Sequence, residues 1–151
     1  MKILIVKLGS IGDIVHTLPV LTFVRKAMPE AEIGWVVEKR SAEILRGNGL
    51  IDRLIEVDTR SLRGGKIVAE ILPAIREQFR PLRRVKFDVA IDFQGLLKSA
   101  AIAKLSGAKV RYGFAKNALR EPASRIFLNH TVEIPPQTHV IRKNLILAGS
   151  A

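Results

Sequence analysis

Asp13 stands where a chain leaves a buried strand for a helix, a place where a carboxylate can do chemistry. The stretch KLGSIGDIVH (residues 7–16) follows the apolar run Ile3-Leu4-Ile5-Val6, and its turn Gly9-Ser10-Ile11-Gly12 delivers the chain to Asp13. A carboxylate there can simply satisfy free N–H groups and the positive end of the helix dipole. Its surroundings give it a second use. The flanking glycines let a substrate approach the backbone closely, with Ser10 and Gly12 as its contacts. At helical spacing Asp13, His16 and Thr17 share one face, while Ile14, Leu18 and Leu21 form the core face. A carboxylate in such an opening can take a proton from a hydroxyl. His16 alone reads as a structural hydrogen-bonding residue.

The same turn fits nucleotide binding poorly. A dinucleotide fingerprint reads G-x-G-x-x-G after the first strand, with an acid about 20 residues further on. Here the third small position is not glycine, there is no Walker lysine, and Asp13 sets a negative charge where a phosphate would lie. Glu38 ends the second apolar run, but an acid alone is a weak match.

Three further groups carry charge. Arg60, Arg63 and Lys66 surround Gly64-Gly65, and arginines in a glycine-containing loop can grip phosphate or carboxylate bidentately, although a basic loop without a partner has the same composition. Arg80, Arg83, Arg84 and Lys86 form a second group, read as solvated or facing a membrane surface. In DFQGLLKSA (92–100), Lys98 falls in the first turn of a helix, beside the wrong end of its dipole. That placement asks for an anionic partner, either Asp13 or a substrate acid. No H-x-E, no histidine pair at ligand spacing and no Asp-x-Asp occurs, so no metal site is expected.

The elements that must position these residues alternate. Ile3–Leu8, Glu32–Glu38, Leu54–Val57, Phe87–Phe93, Val110–Tyr112 and Val132–Ile134 read as strands. Helical patterns fall over 13–28, bent at Pro19, then 41–46, 66–79 with Pro73 inside, 96–105, 121–128 and 139–147. Strands separated by helices imply right-handed parallel βαβ units. The expected fold is an α/β, Rossmann-like, doubly wound and mainly parallel sheet over residues 1–151. Ligands of such sheets bind beyond the carboxyl ends of the strands, where the strand order reverses. Loops 9–12, 58–65 and 93–96 should open there.

Composition limits the function classes. The chain of 151 residues has no cysteine, hence no disulfide framework or thiolate site. No apolar run approaches the roughly 20 residues of a membrane span, and Lys7 interrupts the only N-terminal run that resembles a signal segment. A cytoplasmic location is expected. Residues 1–58 balance eight basic against eight acidic residues, whereas residues 59–151 carry seventeen against six. Such one-sided basicity suits a polyanionic partner. Aromatics make up only 5% of the chain, which argues against a single-stranded nucleic-acid groove, and Trp35 reads as core.

The segments ILIVKLGSIGDIVHTLP (3–19), WVVE (35–38), DVAIDFQGLLKSA (88–100), REPAS (120–124) and QTH (137–139) resemble the N-terminal half of the lipopolysaccharide heptosyltransferases. These are ADP-heptose-dependent glycosyltransferases of family 9, with a GT-B fold. The VK before the loop, GDIVHTLP and QGLLKSA favour the members that add the first heptose. The resemblance implies inverting transfer of L-glycero-D-manno-heptose from ADP-heptose to the Kdo of Kdo2-lipid A, peripheral to the inner membrane of a Gram-negative bacterium. It places the general base on Asp13 and acceptor-binding residues on Arg60, Arg63 and Arg120, with Lys98 and His139 beside them. It also implies a donor-binding C-terminal domain that these residues do not contain, no cofactor, no metal and negligible turnover by the chain alone. Two other readings stay open: a basic Rossmann-like module that binds anionic lipid or nucleotide without catalysis, and a nucleotide-dependent oxidoreductase.

Overall fold

The computed structural model describes residues 1–59, 77 and 79–151. Strands β1 (Lys2–Val6), β2 (Glu32–Glu38), β3 (Arg53–Val57), β4 (Val89–Asp92), β5 (Val110–Phe114) and β6 (His130–Val132) form one sheet in the order β3-β2-β1-β4-β5-β6. Every neighbouring pair is parallel. The chain steps outward from β1 to β3, then returns to β4 on the other side of β1. The crevice between the carboxyl ends of β1 and β4 is therefore the topological switch point.

Parallel strands buried on both faces need apolar residues at consecutive positions, and β1 supplies them. Ile3 and Ile5 face one layer, where they join Trp35 and Val37 of β2. That layer is closed by Val20, Leu21 and Val24 of helix α2 (Leu18–Ala27) and Leu147 of α5 (Val140–Gly149). Leu4 and Val6 face the other layer with Val36, Ile55 and Ala90, under Leu82 of α3 (Arg80–Val85) and Ile102 and Ala103 of α4 (Leu97–Leu105). Gly34 leaves room for the Phe87 ring: a Cβ at that position would lie 2.5 Å from Phe87 Cζ. No helix among the described residues is long and apolar enough to cross a membrane.

Several elements differ from the sequence expectation. The helix expected over 13–28 is two helices, α1 (Ile11–Val15) and α2. Pro19 does not bend a helix; it sits in the first turn of α2, where its missing N–H has no intrahelical partner to lose. The segments expected as helices over 41–46 and 121–128 are 3₁₀ turns, Lys39–Leu45 and Pro122–Phe127. The last strand is His130–Val132 rather than 132–134, because Tyr112 pairs with His130 and Phe114 with Val132. Ile134 precedes Pro135, which favours extended backbone there without any ladder partner. The helix expected over 66–79 lies almost entirely outside the described residues, and so do Arg60, Arg63 and Lys66.

Candidate functional site

The strand ends at the switch point are knitted by buried polar contacts. Beyond β1, the Leu8 N–H donates to Gln94 Oε1 at 3.2 Å, and the buried Lys7 ammonium donates to the Phe93 carbonyl at 2.9 Å. The Lys7 carbonyl accepts from Trp35 Nε1 at 3.1 Å. Asp92, fully buried at the end of β4, accepts from the backbone N–H groups of Gln94 and Gly95 at 2.9 and 3.3 Å and from Ser99 Oγ at 3.0 Å. Burial pushes its carboxyl up to about 6, against these hydrogen bonds and the nearby Lys7 charge. Gly95 adopts φ +69°, a left-handed conformation that glycine takes without strain. Its carbonyl then accepts from the Glu121 N–H at 3.1 Å, and the Glu121 carboxylate caps α4 at the Leu97 N–H at 2.7 Å.

Asp13 stands beside this crevice, in the first turn of α1. Its carboxylate accepts from the Ser10 backbone N–H at 3.3 Å and from Arg120 Nη2 at 3.3 Å. The Asp13 side chain is 17% exposed and that of Arg120 57% exposed. The face at i, i+3, i+4 is real, with a division of labour: Thr17 is buried, and its hydroxyl donates to the Asp13 carbonyl at 2.8 Å. Asn144 of α5 donates to Thr17 Oγ1 at 3.1 Å and to the His16 carbonyl at 3.2 Å, so α5 fixes the break between α1 and α2. The His16 and His139 rings meet edge to face, with centroids 6.2 Å apart. His139 is the N-cap of α5, where its Nδ1 accepts from the Ile141 N–H at 3.3 Å. Ser10 is exposed, and open space surrounds the position a Cβ on Gly12 would take.

Lys98 has a different partner from those expected. Its ammonium lies 3.7 Å from Glu38 Oε1, and no Asp13 contact is made. Glu38 is buried and also accepts from the Thr59 N–H, at 3.3 Å, and from the Thr59 hydroxyl. The acid that a dinucleotide reading would assign to a ribose is thus spent inside the protein. Lys143 donates to the Ala118 carbonyl at 2.8 Å and lies 4.1 Å over the Phe114 ring. Burial, with help from the Arg120 charge, lowers its affinity for a proton.

The structure therefore brings Asp13 and Arg120 into contact, sets His139 beside them through His16, leaves Ser10 and Gly12 open, and places Lys98 on Glu38. Sequence reasoning missed Lys7, Asp92 and Asn144. A signal existed for two of them: each of Lys7 and Asp92 is a charge embedded in an otherwise apolar strand sequence, LIVKL and VAIDF.

The family pattern for glycosyltransferase family 9 (heptosyltransferase) matches residues 75–151. The chain belongs to this family. It is 38% identical over 144 residues to lipopolysaccharide heptosyltransferase 1 of Escherichia coli strain K12, covering 95% of this chain and 45% of that one. The corresponding Pseudomonas aeruginosa protein is 32% identical over 151 residues, covering 100% of this chain and 42% of that one. Among solved structures, E. coli heptosyltransferase WaaC with ADP-2-deoxy-2-fluoro heptose superposes with a TM-score of 0.89 at 34% identity, over 99% of this chain and 48% of that one. E. coli ADP-heptose lps heptosyltransferase II shares the fold, with a TM-score of 0.76 at 18% identity over 98% of this chain and 40% of that one. The chain spans about half the length of the curated family 9 relatives it matches.

Proposed function

We propose that the chain forms the acceptor-binding side of an inverting heptosyltransferase of lipopolysaccharide core synthesis, with Asp13 as the general base. In this reading L-glycero-D-manno-heptose passes from ADP-heptose to the Kdo of Kdo2-lipid A. The observation that carries it is the Asp13 carboxylate itself, held at the ligand-binding edge by the Ser10 N–H and faced by the exposed Arg120 guanidinium. A carboxylate so placed repels a nucleotide phosphate and suits a hydroxyl. The similarity to WaaC, solved with an ADP-heptose analogue, supports a nucleotide-sugar donor.

In the transfer step the Asp13 carboxylate accepts the proton of the acceptor hydroxyl as that oxygen bonds to the anomeric carbon of heptose. The bond from that carbon to the ADP phosphate oxygen breaks, and ADP leaves with the electron pair. Attack opposite the leaving group inverts the anomeric centre. Ser10 and Gly12 leave the backbone open to the acceptor. Arg120, Arg60 and Arg63, with Lys98 and His139 nearby, meet its carboxylates and phosphates. The reading places the donor on a C-terminal domain and assigns no metal or cofactor to the acceptor side, so residues 1–151 alone turn over negligibly. Docking is peripheral, on the anionic cytoplasmic face of the inner membrane, with Arg80, Arg83, Arg84 and Lys86 available to lipid head groups.

The test is Asp13→Asn in an enzyme completed by a donor-binding domain. Loss of a general base lowers transfer by about 10²- to 10⁴-fold, with acceptor affinity kept within a few-fold. Transfer at close to the wild-type rate would remove the base from Asp13 and favour a basic module that binds polyanions without catalysis.

A further inference from the structure

The contact between Arg120 and Asp13 uses little of what a guanidinium can offer. Arg120 Nη2 lies 3.3 Å from Asp13 Oδ1, longer than the roughly 2.7–2.9 Å of a strong charge-assisted bond. Its Nε and Nη1 have no hydrogen-bonding partner among the described residues. The backbone that carries Arg120 is fixed: the adjacent Glu121 N–H donates to the Gly95 carbonyl at 3.1 Å, and a Cβ on Gly95 would lie 3.5 Å from the Arg120 nitrogen. The side chain is not fixed, being 57% exposed with Asp13 as its one partner among the described residues. On the Asp13 side, Oδ2 accepts from the Ser10 N–H at 3.3 Å and so belongs to the turn of its own helix. Oδ1 is the oxygen left for an acceptor hydroxyl, and Arg120 is on it.

The group that Arg120 holds indicates what can replace it. A guanidinium grips a carboxylate best through two parallel N–H···O bonds, and Asp13 gives it a single long one. A ligand carboxylate that takes two would displace Asp13 and leave Oδ1 clear for a hydroxyl on the same ligand. Giving up the old contact costs little, because an ion pair this exposed contributes little. We propose that Arg120 exchanges Asp13 for a carboxylate of the acceptor, so that a sugar acid uncovers the base and a neutral sugar does not. The inference rests on the reading of Asp13 as base, and it makes Arg120 a specificity-determining residue. A neutral sugar with the same hydroxyl leaves the Arg120–Asp13 contact in place and finds Oδ1 taken.

The experiment is a double-mutant cycle on binding in the full 151-residue chain, with a deacylated Kdo2-lipid A sugar phosphate and its carboxyl methyl esters as the two probes. Arg120→Ala should weaken the acid probe by about tenfold. Asp13→Asn keeps an oxygen for the Ser10 N–H but removes the charge that competes for Arg120. It should tighten the acid probe by about threefold, the scale of an exposed ion pair. In the Arg120→Ala background that gain should vanish, which simple relief of repulsion between Asp13 and the probe would not do. The methyl esters should bind about tenfold more weakly than the acid and be indifferent to Arg120→Ala. Melting curves report whether each variant folds, and Asp13→Ser gives a second variant for the same arm. Unchanged or weaker binding in Asp13→Asn, or a gain that survives Arg120→Ala, overturns the proposal. Esters that still depend on Arg120 overturn it too and assign Arg120 to the phosphates. Failure of the base is a separate result: it is read from transfer activity in the completed enzyme and leaves the binding cycle intact.

Discussion

At the amino ends of the strands, Arg25 donates to the carbonyls of Pro29, Ala31 and Leu50 and to Asp52 Oδ2, at 3.1, 2.7, 2.9 and 2.9 Å. Asp52 also accepts from the Ile33 N–H at 2.7 Å, and Asp88 accepts from the Lys2 N–H at 2.7 Å. At the carboxyl ends, Arg120 reaches Asp13 at 3.3 Å, Lys98 reaches Glu38 at 3.7 Å, and Lys7 has a carbonyl. One edge saturates its charges on short bonds to groups that never leave. The other keeps Lys7, Asp92 and Glu38 buried on fixed partners but leaves Arg120 exposed on a long contact to Asp13. In the proposed reading binding falls at this second edge, where the exposed Arg120 is the partner a ligand can replace.

The contrast breaks most visibly at Arg25. Arg25→Ala strips hydrogen bonds from three carbonyls and one carboxylate and should destabilise the chain by about 2 kcal/mol in urea unfolding, with no effect on ligand titrations. A loss under about 0.5 kcal/mol would mean the amino edge is no better bonded than an ordinary surface.

Asp92 is next. Burial pushes its carboxyl up to about 6 in the folded chain, from the ordinary 3.8 of an aspartate in an unfolded one. The folded state therefore binds the extra proton between about pH 4 and 6, and this contribution to stability is fully present below that window and fades as pH rises through it. Asp92→Asn should flatten that fall by an amount on the order of 2 kcal/mol. Stability curves that run parallel in both proteins would show that Asp92 is not the titrating group.

Arg120→Ala sharpens the comparison from the other edge. It should leave the melting temperature nearly unchanged while weakening an acceptor analogue by about tenfold, the value of a charge-assisted contact of roughly 1.4 kcal/mol. Smallest of all is Glu43→Ala. This acid is largely exposed and pairs with Arg46, which also holds Glu56, so its loss should move the melting temperature by no more than about 2 °C.

Much of the fold was legible because local signals agreed with the global layout. Four consecutive apolar residues in β1 and the alternation with helical stretches dictate a parallel sheet covered on both faces, and the sheet fixes where Asp13 must lie. The break before Pro19 was harder, because apolar spacing runs on across it; it depends on Asn144 of α5 reaching back to Thr17. Likewise the partner of Lys98 comes from β2, sixty residues earlier, and no helical spacing encodes it. Lys7 was hidden for a physical reason: a charge in an apolar run reads as the run's end, and only the packed structure shows the ammonium turned inward onto Phe93.

The measurement that bears most directly on the account is a calorimetric titration of this chain with a deacylated Kdo2-lipid A sugar phosphate and, separately, with ADP, each at two salt concentrations. The account predicts that the sugar phosphate binds and weakens steeply with salt, while ADP fails to bind. Binding of ADP with no response to the sugar phosphate would contradict it and make the turn before Asp13 a nucleotide site after all.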